Sequence, residues 1–312
     1  MNSIFIDALN KNNLKKLRSV PKSDLHNHGM MGGRLKTMEK FYGSKLGKFK
    51  AGQRGILEIN DWIVKVYRPL MEQPGIFENA MKAAFMQAKH DGVTILEMSI
   101  DIYMGKLLNI NPSKIVEILN QVHKSVAPEI DFRPELGFNR SFSVRSLLAA
   151  FEPYLEFSYF KAIDLYDDES AQPIKNFYEL FRFAKNKGYK CKAHAGEFGD
   201  AESVREAVEI LELDAVQHGI GAAESPEVMK WLADLKIPLH ISPASNIGLK
   251  RVKSWQTHPI RILYDNGVKV TINTDDVMLF NKGNSEQFIK LFNCSLFSPD
   301  ELDEIRLNGL LS

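Results

Sequence analysis

The stretch Lys190-Cys191-Lys192-Ala193-His194-Ala195-Gly196-Glu197 decides how the rest of the chain is interpreted. It is typical of a short buried strand that ends at His194, with Glu197 three residues later in the loop that follows. Gly196 allows the backbone to approach a ligand closely. Apolar residues then recur at helical spacing behind Asp200, which can cap the helix. In a barrel of alternating strands and helices, His194 and Glu197 would therefore lie at the catalytic end.

Seven further segments have the pattern of buried strands, and helical patterns separate them. They cover residues 22–28, 93–98, 131–138, 160–165, 215–219, 238–242 and 269–273. This alternation predicts an α/β fold, a (β/α)8 TIM barrel, with residues 1–312 as a single domain. Residues 34–87 are predicted to form a helical insertion after the first strand that could act as a lid. A doubly wound open sheet is the alternative, but neither Gly-x-Gly-x-x-Gly after a strand nor a P-loop is present, which argues against a nucleotide cofactor.

The composition is that of an ordinary soluble globular protein, with 44% hydrophobic and 25% charged residues. The two cysteines, Cys191 and Cys294, suit a reducing cytoplasm and exclude a zinc site built from cysteines. Neither a signal peptide nor an apolar run of about 18 residues is evident. The sequence therefore predicts a cytoplasmic protein that does not enter a membrane.

The formal net charge of +1 is unevenly distributed along the chain. Residues 34–54 contain seven Lys or Arg residues and one acid, Glu39, so this segment alone has a net charge of +6. One interpretation is a solvated surface loop. The other is an electrostatic funnel for an anionic substrate.

Residues that can bind a metal or move protons recur at the carboxyl ends of the predicted strands. They are His26, His28, His194, Glu197, His218, Asp275 and Asp276. Taken singly, each has an ordinary explanation, such as a structural histidine or an aspartate that caps a turn. A barrel would gather all of them at one rim. Three imidazoles and a carboxylate suit Zn²⁺, which lowers the pKa of a bound water toward about 7.

Four short blocks, in this order along the chain, resemble the adenosine deaminase family of metal-dependent hydrolases. The blocks are His26-Asn27-His28, His194-Ala195-Gly196-Glu197, His218-Gly219 and Asn273-Thr274-Asp275-Asp276. Two further segments resemble the seventh-strand and fourth-strand segments of that family. They are Ser242-Pro243-Ala244-Ser245-Asn246 and Asp164-Leu165-Tyr166-Asp167-Asp168-Glu169. The resemblance extends from about Pro21 to about Asp276.

The resemblance implies one zinc ion per subunit and a role for each matching residue. The implied zinc ligands are His26, His28, His194 and Asp275. Glu197 would protonate N1 of a purine, His218 would orient the attacking hydroxide, and Asp276 would bind both the hydroxide and N7. Gly196 would lie beside the substrate. A two-metal variant would need a lysine at the end of the fourth strand, whereas Lys161 lies three residues too early.

Two departures from the family pattern fall where the sugar of a nucleoside would bind. After His-x-His the family usually has Leu, then Asp, Glu or Thr, then Gly, whereas residues 29–33 here are Gly-Met-Met-Gly-Gly and offer no acid. In the fourth-strand segment Asp167 replaces a glycine that lets the backbone meet the N3 edge of the purine. The predicted substrate contacts are therefore Gly196, Asp276, Asp167, Met30, Arg34 and Lys36.

Three functions are compatible with these residues. The first is hydrolytic deamination of adenosine or deoxyadenosine to inosine or deoxyinosine, with release of ammonia. The second is deamination of AMP, dAMP or a modified adenine, because the ribose-binding acid is missing and Arg34 or Lys36 could bind a phosphate. The third is a non-catalytic purine-binding subunit, against which the intact Glu197 argues. The expected partner is a small purine nucleoside or nucleotide rather than a nucleic acid or membrane, and a homo-oligomer is possible.

Overall fold

The fold is known from a computed structural model that describes residues 3–52 and 55–312. Arg54, one of the basic residues of the +6 segment, lies outside the described residues. Eight parallel strands form one sheet in chain order. They are β1 (Lys22–Asp24), β2 (Val93–Asp101), β3 (Asp131–Asn139), β4 (Ala162–Tyr166), β5 (Lys190–Ala195), β6 (Ala215–His218), β7 (Leu239–Ile241) and β8 (Val270–Ile272). Each predicted strand coincides with one of them.

The first and last strands approach each other and nearly close the sheet. Just beyond them, the Asp275 backbone N–H donates to the His26 carbonyl at 2.8 Å, and the His28 N–H donates to the Asp275 carbonyl at 3.3 Å. The Asn273 side chain bridges the same seam by accepting from the Leu25 N–H at 2.8 Å. The predicted (β/α)8 barrel is therefore confirmed, and the open sheet is not.

Helices fill the connections between the strands. Before β1 lie α1 (Ser3–Asn10) and α2 (Leu14–Arg18). After β2 come α7 (Met104–Leu107), α8 (Pro112–Val126), α9 (Val144–Phe151), α10 (Tyr178–Asn186), α11 (Ala201–Leu211), α12 (Pro226–Leu235), α13 (Pro243–Gly248), α14 (Ile260–Asp265), α15 (Val277–Phe280), α16 (Asn284–Asn293) and α17 (Pro299–Leu310). The predicted cap is confirmed, since Asp200 accepts from the Ser203 N–H. Ser298 forms a capping box with Glu301 at the start of α17. Within the described part of the chain, none of the helices has the length and apolarity needed to span a membrane.

The connection between β1 and β2 is helical, as predicted. It contains α3 (Leu35–Tyr42), α4 (Ile56–Trp62), α5 (Arg68–Met71) and α6 (Ile76–His90). A π-helical turn, Ile63–Tyr67, joins α4 to α5. π-Helical turns are rare in proteins, and those that do occur often lie at functional sites. The hydroxyl of the buried Tyr67 donates to the Met30 carbonyl at 2.7 Å, which ties this turn to the loop that follows β1.

The interior of the barrel contains a buried ionic cluster beneath the rim. Lys192 of β5 is 2% exposed and its ammonium group contacts the carboxylates of Glu97 on β2 and Glu135 on β3. Burial raises the pKa of Glu135 to about 8. Burial also acts to raise the pKa of Glu97, but Lys192 outweighs it and lowers that pKa to about 2. The cluster therefore depends on the one lysine that both acids share.

Replacing Lys192 by methionine should destabilise the barrel without touching the rim. Glu135 would remain buried without a cation, and Glu97 would keep only the Arg133 guanidinium, 3.3 Å from its Oε1. Removing one partner of a buried ion pair typically costs about 3–5 kcal/mol. The free energy of unfolding in urea should fall by about that amount. Lys190→Met, which changes an exposed lysine of the same strand, should shift it by no more than about 0.5 kcal/mol. Equal stability of the two variants would contradict the prediction.

Candidate active site

The predicted metal ligands converge at one end of the barrel. His28 Nε2 lies 3.2 Å from Asp275 Oδ1, and His26 Nε2 lies 3.7 Å from the same oxygen. The two Nε2 atoms of His26 and His28 are 3.4 Å apart. The His194 ring, which comes from β5, has its centroid 4.8 Å from that of His26 and 5.3 Å from that of His28. His26, His28 and His194 therefore have donor atoms close enough to share one ion, and Asp275 lies against the first two of them.

The nitrogen and oxygen donors of this cluster fit a metal ion. Three overlapping trios have donor atoms within 4.8 Å of one another, namely His26, His28 and His194; His26, His218 and Asp275; and His194, Glu197 and His218. Among the described residues, Nε2 of His194 is buried without a hydrogen-bond partner. His26 Nδ1 lies 3.5 Å from the His240 carbonyl oxygen, an arrangement that leaves the lone pair of Nε2 directed at the cluster. Buried, unpaired ring nitrogens are costly unless a cation satisfies them.

Two residues of the cluster adopt a backbone conformation that side chains normally avoid. His218 has φ of 62° and Asp275 has φ of 57°, both in the left-handed region. Each such residue costs roughly 1–3 kcal/mol and persists where the surrounding structure enforces it, commonly at functional sites. Both strained residues, His218 and Asp275, belong to the set that the sequence predicted at the rim.

Glu197 is placed to hold a proton beside the cluster. Its Oε2 lies 3.5 Å from His218 Nε2, and Asn246 donates to its Oε1 at 3.4 Å. Burial raises the pKa of Glu197 well above its ordinary value, and the negative charges of Asp275 and Glu169 raise it further. A carboxylic acid that stays protonated near neutral pH can act as a general acid.

His218 and Asp276 complete the polar wall around Glu197. Burial lowers the pKa of His218 to about 3, so its ring is neutral at neutral pH. Asn246 Nδ2 lies 3.2 Å from His218 Nδ1, and donation to Nδ1 leaves the ring proton on Nε2, facing the cluster. Burial raises the pKa of Asp276 to about 8, with a further contribution from Asp275. The His218 Nε2–H and the Asp276 carboxyl group thus line the same part of the cavity as Glu197.

A cavity of about 400 Å³ opens from this cluster towards the helical insertion. Its volume lies in the range of small-molecule sites. The catalytic-end residues in its wall are His28, His194, Glu197, His218, Asp275 and Asp276. Two predicted substrate contacts, Met30 and Asp167, also line it. The wall further includes Ile59, Ile63 and Tyr67 of the insertion, so the insertion forms part of the site.

The sequence profile described as adenosine deaminase matches residues 57–312. The chain belongs to the adenosine deaminase family. A Treponema pallidum protein, named as a candidate adenosine/adenine deaminase, is 34% identical over 286 residues, which cover 91% of this chain and 95% of that protein. An adenosine deaminase of Clostridium acetobutylicum is 35% identical over 149 residues, covering 48% of this chain and 45% of that enzyme.

Solved structures of deaminases share the fold. An adenine deaminase from Arthrobacter aurescens superimposes with a TM-score of 0.81 at 22% identity over 93% of each chain. A zinc-bound amidohydrolase from Burkholderia ambifaria has a TM-score of 0.80 at 21% identity, covering 94% of this chain and 85% of its own. The Arabidopsis thaliana N6-methyl-AMP deaminase has a TM-score of 0.77 at 18% identity, covering 94% and 92%. At these identities the likeness establishes the fold of a deaminase.

A residue that the sequence did not single out holds the loop of this deaminase's candidate acid. Glu169 Oε1 accepts from the backbone N–H groups of Glu197 at 2.8 Å and Phe198 at 2.9 Å, and its Oε2 accepts from the Gly196 N–H at 2.8 Å. Gly196 has φ of +67°, and a Cβ there would lie 2.3 Å from a methyl group of Val204. The turn itself therefore requires this glycine, and Gly196 does not appear in the cavity wall.

Removing the Glu169 carboxylate should release the loop that carries Glu197. We expect Glu169→Ala to lower kcat by about 100-fold, because a displacement of about 1 Å at a catalytic group has effects of that size. KM should change less, and the bound metal should remain. Glu169→Gln, which keeps one accepting oxygen, should recover part of the activity. Glu179→Ala on the exposed face of α10 is the matched control, and an equal loss in that variant would contradict the role of Glu169.

Asp164 in the middle of β4 is a second residue whose position the sequence did not predict. Neither of its buried carboxylate oxygens has a hydrogen-bond partner among the described residues, and Oδ2 lies 3.7 Å from His194 Nε2. Asp164 therefore places a buried carboxylate beside the same His194 nitrogen that is predicted to bind the metal. The only signal in the sequence was the family-like segment that begins at this residue.

Arg34 and Lys36, the two predicted phosphate contacts, are not in the wall of the cavity. The Arg34 guanidinium contacts the Glu286 carboxylate, and it also donates to Gln87 Oε1 at 2.8 Å and Asn281 Oδ1 at 3.0 Å. Lys36 is exposed on α3. Arg34 thus serves as a bridge between the insertion and α16.

Proposed function

We propose that this chain is a zinc-dependent hydrolase that removes the 6-amino group of a purine nucleoside of the adenosine or deoxyadenosine type. The observation that carries the proposal is the convergence of Glu197, His218 and Asp276 on the cluster of predicted metal ligands. The raised pKa of Glu197 and the neutral ring of His218 support the roles of proton donor and hydrogen-bond donor. One zinc per chain, a cytoplasmic location and possible self-association remain predictions.

The proposed reaction exchanges the amino group for an oxygen. Zn²⁺, held by His26, His28, His194 and Asp275, would supply Lewis acidity that makes water nucleophilic at neutral pH. Glu197 donates its proton to N1 of the purine as oxygen adds to C6. The His218 Nε2–H donates to the attacking oxygen, and Asp276 accepts a hydrogen bond from it. The attacking water gives one proton back to Glu197 and the other to the amino group. The C6–N bond then breaks, so that one water and one aminopurine give one 6-oxopurine and one ammonia.

Two alternatives have specific support. The name of the Arthrobacter protein favours adenine itself, that of the Treponema protein includes adenine beside adenosine, and the Arabidopsis protein is named for a modified AMP. A purine-binding protein without chemistry is a third reading of the same cavity. The carboxylic acid beside the metal cluster argues against it, because binding alone does not require a buried acid with a raised pKa.

The test is an ammonia-release assay of the zinc-loaded protein against adenine, adenosine, deoxyadenosine, AMP and dAMP. We expect deamination of the nucleosides, with the oxopurine identified by its absorbance spectrum. If ammonia were released only from adenine, or only from the nucleotides, that compound class would replace the nucleosides as the proposed substrate. Binding of the purines without release of ammonia from any of them would overturn it in favour of the binding protein.

A further inference from the structure

We infer that the physiological substrate carries an uncharged, apolar group at the end of the molecule opposite the 6-amino group. The inference rests on the proposed deamination and specifies its substrate class. It predicts that a purine nucleoside with an apolar substituent is deaminated in preference to the nucleotide of similar length. Three features of the cavity carry it: the sign of its charges, the state of its polar groups and the chemistry of its outer wall.

The charged side chains of the cavity wall are unfavourable for binding a phosphate. Carboxylates line it at Asp101, Asp167, Glu197, Asp275 and Asp276, whereas neither Lys nor Arg is present among its described lining residues. A phosphate that enters would lose its water and gain no cation, which is a large free-energy cost. Its two negative charges would also lie close to the acids of the outer cavity.

The two acids of the outer cavity, Asp101 and Asp167, are already paired with neighbouring groups. The Asp101 carboxylate accepts from the Tyr166 hydroxyl and, at 2.6 Å, from the Tyr103 backbone N–H. The Asp167 carboxylate accepts from the Asn139 side chain at 2.6 Å. Both acids can meet neutral hydroxyls at their remaining lone pairs. The donors among the other described lining residues, Asn60, Ser99 and Tyr103, are uncharged, so none of them compensates the charge of an anion.

Apolar side chains from separate connections form the rest of the outer wall. Four of them are methionines, at positions 30, 31, 71 and 104. Methionine is flexible and polarisable, and it adapts to apolar groups and aromatic rings. Leu107 and Phe142 stand at the opening with 50% and 44% of their surface exposed. An apolar group bound there would remove this surface from water, which is favourable.

The position of the reacting carbon fixes which end of the substrate meets this wall. C6 must lie within reach of Glu197, His218 and Asp276 at the barrel rim. Met71 comes from the insertion, and Leu107 and Phe142 come from the connections that follow β2 and β3. A planar purine with C6 at the rim therefore directs its N9 substituent away from the metal cluster and towards these residues.

The decisive measurement compares two substituents of similar length, one apolar and one anionic. We expect kcat/KM for 5′-deoxy-5′-methylthioadenosine to exceed that for AMP by at least about 100-fold, and that for adenosine to lie between them. A preference for AMP, or for unsubstituted adenine over both, would overturn the inference and leave the deaminase proposal intact. Absence of ammonia from every compound would instead contradict the deaminase proposal on which the inference rests.

A charge placed at the opening tests the inference on the same protein. Leu107→Lys should raise kcat/KM for AMP several-fold and lower it for the methylthio compound about 10-fold, so that the ratio of the two moves toward AMP. Leu235→Lys is the matched control, because Leu235 is 53% exposed on α12, outside the cavity wall. An unchanged ratio in Leu107→Lys, or an equal change in Leu235→Lys, would contradict the assignment of this wall to the substituent.

Discussion

Replacing Glu197 by glutamine should abolish ammonia release while leaving the fold and the metal in place. Glutamine matches the size of the acid and keeps an oxygen that can accept from Asn246, but it cannot give a proton to the purine ring. General acid–base catalysis is worth roughly 10²–10⁴-fold, so kcat should fall by at least about 100-fold. The measurement is the steady-state rate of ammonia release at saturating substrate, with zinc content determined on the same sample.

The control for this prediction separates loss of the proton donor from loss of the site. Glu179→Gln changes an exposed glutamate of α10 by the same atoms and should retain full activity. The melting temperature of Glu197→Gln should equal or exceed that of the parent protein, because burial disfavours a charge at this position. A Glu197→Gln protein with normal turnover would show that another group supplies the proton.

The barrel and its rim could be predicted because both follow from local patterns. Each strand is a short apolar run followed by a helical pattern, and parallel strands in a barrel bring their carboxyl ends together. His26, His194 and Asp275 are distant in sequence, yet each lies within three residues of a strand end. The carboxyl ends of all strands in a parallel barrel lie at one end of it. Once the strands were located, these residues could therefore be placed at that end without information on loop conformation.

The residues that support the rim could not be predicted in this way. Glu169 reaches backbone N–H groups 27 to 29 residues away, a contact that depends on the exact path of two loops. Arg34 belongs to a segment of net charge +6, but it contacts Glu286, which lies 252 residues further along the chain. A charge count over a local segment cannot include such a partner, which is why a predicted phosphate contact lies in a structural bridge.

Replacing His194 by alanine should remove the metal and, with it, the activity. The cluster would lose the imidazole that β5 contributes, and the remaining donors would hold a borderline-soft ion such as Zn²⁺ far less tightly. We expect the zinc content to fall from about one equivalent per chain to a small fraction of that value. Ammonia release should fall with it. Chelation of the parent protein should have the same effect, and added Zn²⁺ should restore activity to the chelated parent but not to the variant.

Thermal unfolding gives this prediction a measurement that does not depend on turnover. Binding of an ion to the folded state alone stabilises it by about 4 kcal/mol at 1,000 times the dissociation constant, so Zn²⁺ should raise the melting temperature of the chelated parent protein. The same addition should leave His194→Ala nearly unchanged. His90→Ala, at the exposed end of α6, is the matched control and should bind zinc and melt as the parent does. If His194→Ala retained a full equivalent of zinc and the same stabilisation, the four-ligand cluster would be the wrong site for the ion.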